Sequence, residues 1–198
     1  MSTNTKIALA AILLFVVLSG RGRKLPRQKR LTTKQVIDKV QGYHQLIVDS
    51  LQGSLAKGVP SDWMIPWVKA TIDHESDGFP HATSYKMSGV ANHSGEYLLD
   101  ANGQKIPLAK GLGQFLDSTS KQFSVKDPYN PADIIPGMVR LLSYLYLKKE
   151  GDLARIANSY YAGAAGKMPE QTKSPEASKD KQSYIDTQIM LYNTYKAL

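Results

Sequence analysis

The chain contains no cysteine, so a disulfide framework, a zinc–thiolate centre and a cysteine nucleophile are excluded. That absence suits either redox compartment and locates the protein in neither. No internal repeat is present. A zinc hydrolase signature is also missing. His74 adjoins Glu75 and His81 is near, but the pattern His-Glu-x-x-His needs its second ligand where Gly78 stands. His44 and His93 have no ligand-like spacing, so the histidines read as polar surface or local hydrogen-bonding groups. Neither a metal nor a cofactor is expected. The folded part lacks a basic excess as well. Lys and Arg number 25 against 17 Asp and Glu. Seven of the bases (Lys6, Arg21, Arg23, Lys24, Arg27, Lys29 and Arg30) lie in the first thirty residues, which hold no acid; the remaining 25 − 7 = 18 bases meet all 17 acids. A nucleic-acid-binding domain carries its positive charge along a groove or helix face of the folded part. Here the charge forms a short arm beside an apolar run, which points to a membrane surface and away from nucleic acid.

That run, Ile7–Leu18, is uninterrupted, and with Ser19 and Gly20 it is fourteen residues long. As a helix it spans about 21 Å at about 1.5 Å per residue, short of a hydrocarbon core of about 30 Å. Snorkelling by Lys6 and Arg21 or local thinning of the bilayer covers the difference. Two readings stand, an N-terminal anchor and a cleaved signal peptide. The anchor is preferred because Leu18 occupies a position where an Ala-x-Ala-like cleavage site needs a small residue, and because six bases follow. By the positive-inside rule this flank keeps the domain on the cytoplasmic side. The expected organisation is an apolar anchor over 1–20, a basic linker over 21–30 and a folded domain over 31–198.

Within the domain, Thr32 and Gln35 form a capping box, and Val36, Val40, Tyr43, Ile47 and Leu51 recur at helical spacing until Gly58 and Pro60. Pro66 suits the first turn of a second helix through Trp67, Val68, Thr71 and Ile72 to Glu75. Two short apolar runs within Glu96–Ile106 flank Asn102-Gly103, a hairpin signal. Asn130 and Pro131 open a helix carrying Ile134, Ile135, Met138, Leu141, Leu142 and Leu145; Gly151 closes it and Asp152 caps the next, which reaches Tyr161. Residues 166–180 are polar and read as a loop before a last helix through Tyr184, Ile185, Ile189, Tyr192 and Tyr195. The fold class is mainly α, with one small β-hairpin insertion. No apolar stripe remains after the core is assigned, so a monomeric domain is expected.

Glu75 ends an apolar helix, next to Ser76 and ahead of a Gly-Phe-Pro turn. Partial desolvation there raises the pKa of a carboxyl and keeps it protonated near neutrality, the state required to protonate a glycosidic oxygen. A glutamate in the last turn of a helix is more often a surface or capping residue, so position alone does not decide. Three segments do more: Ile72-Asp-His-Glu75-Ser76-Asp-Gly-Phe79-Pro80, then Gly111-Leu-Gly-Gln114-Phe115, then Ser159-Tyr160-Tyr161-Ala162-Gly163. In this order they resemble the Glu-Ser, Gly-Leu-Met-Gln and Ala-Tyr-Asn-Ala-Gly motifs of the soluble lytic transglycosylase (SLT) domain, a relative of goose-type lysozyme. The resemblance covers roughly residues 60–195 and implies a lysozyme-like α+β fold acting on peptidoglycan glycan strands.

It further implies roles. Glu75 protonates the oxygen bridging N-acetylmuramic acid (MurNAc) and N-acetylglucosamine (GlcNAc), then acts as base. Ser76 and Gln114 line the sugar subsites, Tyr160 hydrogen-bonds near the glutamate, and Gly111 and Tyr161 complete the substrate-binding set. Tyr160 as a plain core aromatic and Gln114 as a loop-fixing amide are the competing readings. The sequence departs from the motifs where Gly113 replaces Met and Tyr161 replaces Asn, and the hairpin lengthens the interval from Ser84 to Gly111. The family uses one carboxyl group. The alternative is a muramidase that positions a water with Asp100 or Glu96, and a reading of another class is an inactive glycan-binding or membrane assembly protein.

Overall fold

The computed structural model describes residues 31–52, 58–88, 96–163, 166–172 and 174–198. The apolar run over 7–20 and the basic linker over 21–30 lie outside the described residues. Among those described, no helix is long and apolar enough to cross a membrane.

Helix α1 (Thr33–Gln41) opens on the expected capping box: Thr32 Oγ1 accepts from the Gln35 N–H (3.3 Å), and Gln35 Oε1 accepts from the Thr32 N–H (2.9 Å). The continuous helix expected through Leu51 is in fact two, since the chain turns at Gly42–Tyr43 before α2 (His44–Gln52). Tertiary contacts outweigh the periodicity there. Tyr43 donates its hydroxyl to the Gly78 carbonyl (3.1 Å), and buried Lys69 bonds both sides of the break, to Gln41 Oε1 (2.6 Å) and His44 Nδ1 (2.9 Å).

Helix α3 (Ser61–Ser76) begins earlier than expected, so Pro66 lies inside it rather than in its first turn. Proline removes one backbone bond, but Trp63 and Met64 ahead of it are buried and their rings and thioether hold the extra turn in the core. Trp63 stacks on Trp67 at 5.3 Å and meets Tyr146 edge-on at 4.5 Å. Buried residues occur all round α3, as befits a central helix. It ends at Asp77, in the left-handed region at φ 50°, followed by Gly78.

Next comes an antiparallel sheet in the order β1 (Thr83–Tyr85), β2 (Pro107–Lys110), β3 (Phe115–Leu116). Thr83 pairs with Lys110 and Lys110 with Phe115. These strands were not expected; runs of two to four residues are too short for an alternating pattern to register. The expected hairpin is present as an extension of the sheet. Leu99 bridges Lys105, and Asp100 Oδ1 accepts from the N–H groups of Asn102 and Gln104, both at 2.9 Å.

Helix α4 (Asp117–Gln122) leads to α5 (Pro131–Lys148), capped by Asn130, whose side chain accepts from the Ala132 N–H. The predicted apolar residues of α5 are all buried. Asp152 caps α6 (Leu153–Ala162). The stretch expected to be a loop through residue 180 is corrected. After a 3-10 turn (Pro169–Gln171), α7 spans Pro175–Lys196. Its start carries a complete signal: Ser174 as cap, Pro175 in the first position and Glu176 in the first turn. Helix α7 packs along α3 and α6, which brings Tyr184 to Glu75 and Tyr195 to Asp73 near the C-terminal end of α3.

Candidate active site

The site is assembled where α3 ends. Burial of Trp67, Val68, Ala70 and Ile72 fixes the helix in the core, and Glu75 projects from its last turn. The residue is half-buried: it keeps an opening to solvent while protein atoms surround its carboxyl group. Burial holds that carboxyl above its ordinary value. The neighbouring His74 and a hydrogen bond from Tyr184 pull in the opposite direction. Tyr184, on α7, donates its hydroxyl to Glu75 Oε1 at 2.5 Å. The Tyr184 ring lies between His74, stacked at 4.3 Å, and Tyr161 at 4.9 Å. Burial and the adjacent carboxyl push the Tyr184 phenol well up, so it remains a donor.

The structure brings together some of the expected residues and reassigns others. The hydroxyl that holds Glu75 belongs to Tyr184 and not to Tyr160. Tyr160 donates to the Gly113 carbonyl at 2.8 Å and thereby ties α6 to the loop between β2 and β3. Burial pushes its phenol well up, and the nearby Glu75 carboxyl adds to that. Tyr161 is buried and packs on Tyr184 rather than standing in the open. Ser76 is buried, and its hydroxyl donates to Ile72 O at 2.8 Å, so that proton is used within α3. Gln114, at φ 47°, donates its amide to Ala82 O (3.1 Å) and Gly111 O (3.0 Å), which makes it the loop-fixing amide. Gly111 is irreplaceable by geometry, since its φ is 73° and a Cβ would stand 1.7 Å from Pro128 O. At Gly113 the room for a larger side chain is taken by Met138, 3.0 Å from where a Cβ would be.

None of the other acids contributes to the shift of Glu75. Asp73 Oδ2 accepts from Tyr195 at 2.7 Å, Asp100 serves the hairpin turn, and Glu96 is exposed. Among the described residues no group of three or more His, Asp or Glu side chains is placed to hold a metal ion. The sequence pattern marks Tyr184 only as a core position of the last helix and gives no sign of its bond to Glu75. A buried phenol needs a partner, but its partner lies 109 residues away.

A mainly helical domain with a small antiparallel sheet, and one half-buried glutamate at a helix end held by tyrosine, defines a lysozyme-like glycan-cleaving protein. The chain belongs to the transglycosylase SLT domain family, whose model matches residues 60–183, well over half of the 198 residues. Members are peptidoglycan lytic transglycosylases, lyases that cut glycan strands, and this chain is an enzyme of that kind. The match ends one residue before Tyr184. No curated protein and no solved structure gives a significant match.

Proposed function

We propose that the enzyme cleaves the β-1,4 bond between MurNAc and GlcNAc without water, leaving 1,6-anhydro-MurNAc ends, with Glu75 as its only acid/base. The observation that carries this reading is the environment of Glu75: a desolvated carboxyl on a half-buried residue, bonded to a tyrosine and, among the described residues, perturbed by no second carboxylate. Protonated Glu75 gives its proton to the GlcNAc O4 as the C1–O4 bond breaks. The substrate's own 2-acetamido oxygen bonds to C1 and takes up the developing positive charge. Glu75, now ionised, removes the proton of the MurNAc 6-hydroxyl. That oxygen bonds to C1 and displaces the acetamido oxygen, closing the anhydro ring and restoring the protonated carboxyl. Gly111, Gln114, Tyr160 and Tyr161 contribute by shaping the wall of the sugar subsites, and Ser76 by ending α3 beside Glu75.

The apolar run over 7–20 with its basic flank supports tethering of the domain to a membrane for local wall penetration, in a cell envelope or in a virion with an internal membrane. Recovery of a shortened form freely soluble in the periplasm would overturn the tether. The reaction itself is tested by mass spectrometry of purified peptidoglycan digested with the full chain and with Glu75→Gln. Muropeptides one water lighter than hydrolytic products, absent with the variant, are expected. Ordinary reducing ends would make the enzyme a muramidase.

A further inference from the structure

We infer that His74 is a positioning residue for the acid/base: a buried Thr71–Gln188 relay locks its ring as the Nδ1–H tautomer, and the ring in turn braces Tyr184 against Glu75. The inference rests on the reading of Glu75 given above.

The tautomer follows from a chain of bonds whose direction is set at a backbone carbonyl. Thr71 Oγ1 lies 2.9 Å from Trp67 O, which can only accept, so the single hydroxyl proton of Thr71 is spent there. Thr71 Oγ1 must then accept from its other neighbour, Gln188 Nε2, at 3.0 Å. With the Gln188 amide nitrogen committed, its oxygen faces His74 Nδ1 at 3.0 Å, and two acceptors do not meet at that distance. His74 Nδ1 therefore carries a proton. Turning the amide over would set its oxygen against Thr71 Oγ1, which has no proton left, and its NH2 against the ring. Thr71 and Gln188 are buried, at 0 % and 1 % exposure, so water does not offer them other partners. A free neutral imidazole favours the proton on Nε2; the relay imposes the other form.

A ring held at one edge is also fixed in plane. His74 stacks on Tyr184 with an interplanar angle of 23°, and Tyr161 packs on the same ring with centroids 4.9 Å apart. Tyr184 is thus held by two rings while its hydroxyl reaches Glu75. Asp73 and Tyr195 bond each other on the same pair of helices and leave this relay alone. The contribution of His74 passes through the Tyr184 hydroxyl, which makes it separable from a general role in joining α3 to α7.

The experiment is a double-mutant cycle on glycan cleavage by the full chain, with His74→Ala, Tyr184→Phe, the double variant and Glu75→Gln. His74→Ala is expected to lower kcat about tenfold with KM nearly unchanged, and to cost less than about twofold when Tyr184 is already Phe. An equal loss in both backgrounds, or none in either, overturns the inference. Ring 15N spectra of the wild-type enzyme with His74 neutral provide a readout that needs no variant. Protonated Nδ1 with bare Nε2 is expected, and the Nε2–H form overturns the relay. Persisting cleavage by Glu75→Gln would instead refute the reading of Glu75.

Discussion

Tyr184→Phe removes one oxygen atom and leaves the ring between His74 and Tyr161, so its effect reports the bond to Glu75 at 2.5 Å. A hydrogen bond to a neutral acceptor contributes about 1 kcal/mol net, and one to an ionised acceptor about 1.5–3 kcal/mol. The difference, roughly 0.5–2 kcal/mol, favours the carboxylate over the carboxylic acid. It therefore assists the step in which Glu75 gives up its proton. At about 1.4 kcal/mol per tenfold, kcat falls by roughly 2- to 30-fold. The same bond lowers the Glu75 pKa against the rise caused by burial, so its removal raises that pKa further. A general acid works below its pKa, and the alkaline limb of the pH–rate profile moves to higher pH. Stability changes by about 1 kcal/mol, a fall of roughly 2–4 °C in Tm for a chain of this size. Muropeptide release measured across pH gives both readouts. A kcat within twofold of wild type, or an alkaline limb displaced to lower pH, refutes the reasoning.

Glu75→Gln abolishes cleavage and stabilises the fold with a definite pH dependence. Because burial raises the folded-state pKa above the ordinary value of 4.5, the stability contributed by Glu75 is present below that value and is lost as pH rises through the folded pKa. The Tm advantage of the variant grows over that window, and Tm curves that stay parallel across pH would contradict it. Gly113→Met, which restores the residue common in the family, overpacks against Met138 and the Tyr160 hydroxyl, each 3.0 Å from a Cβ. It should cost about 1–3 kcal/mol, and Met138→Ala in the same chain should return much of the lost Tm. Gly111→Ala combines a left-handed residue, costing about 1–2 kcal/mol, with a collision at Pro128 O. A Tm drop of less than about 2 °C would show that the loop yields more easily than its contacts indicate.

The local elements were legible where a side chain acts on its own backbone. Thr32, Asn130 and Asp152 cap the helices assigned to them, and Asp100 and Gly103 form the hairpin turn. These interactions span two to four residues, and the sequence carries them in full. Ser174-Pro175-Glu176 was equally local but was masked by the polar composition around it. The break at Gly42–Tyr43 was not legible, because Lys69 and Gly78, which hold the two sides, are remote in sequence.

At the site the division is similar. Sequence alone determined that Glu75 ends an apolar helix, that it is followed by the segments of a transglycosylase, and that no cysteine chemistry competes with it. Tertiary structure decided which tyrosine serves it, that Gln114 and Ser76 spend their bonds on the backbone, and which nitrogen of His74 carries the proton. Those outcomes depend on how α7 lies along α3, and so on the joint packing of Trp67, Ile72, Tyr184, Ile185 and Tyr192. A hydrogen bond is decided within a few tenths of an ångström, a precision that residue type and spacing do not carry across a hundred positions.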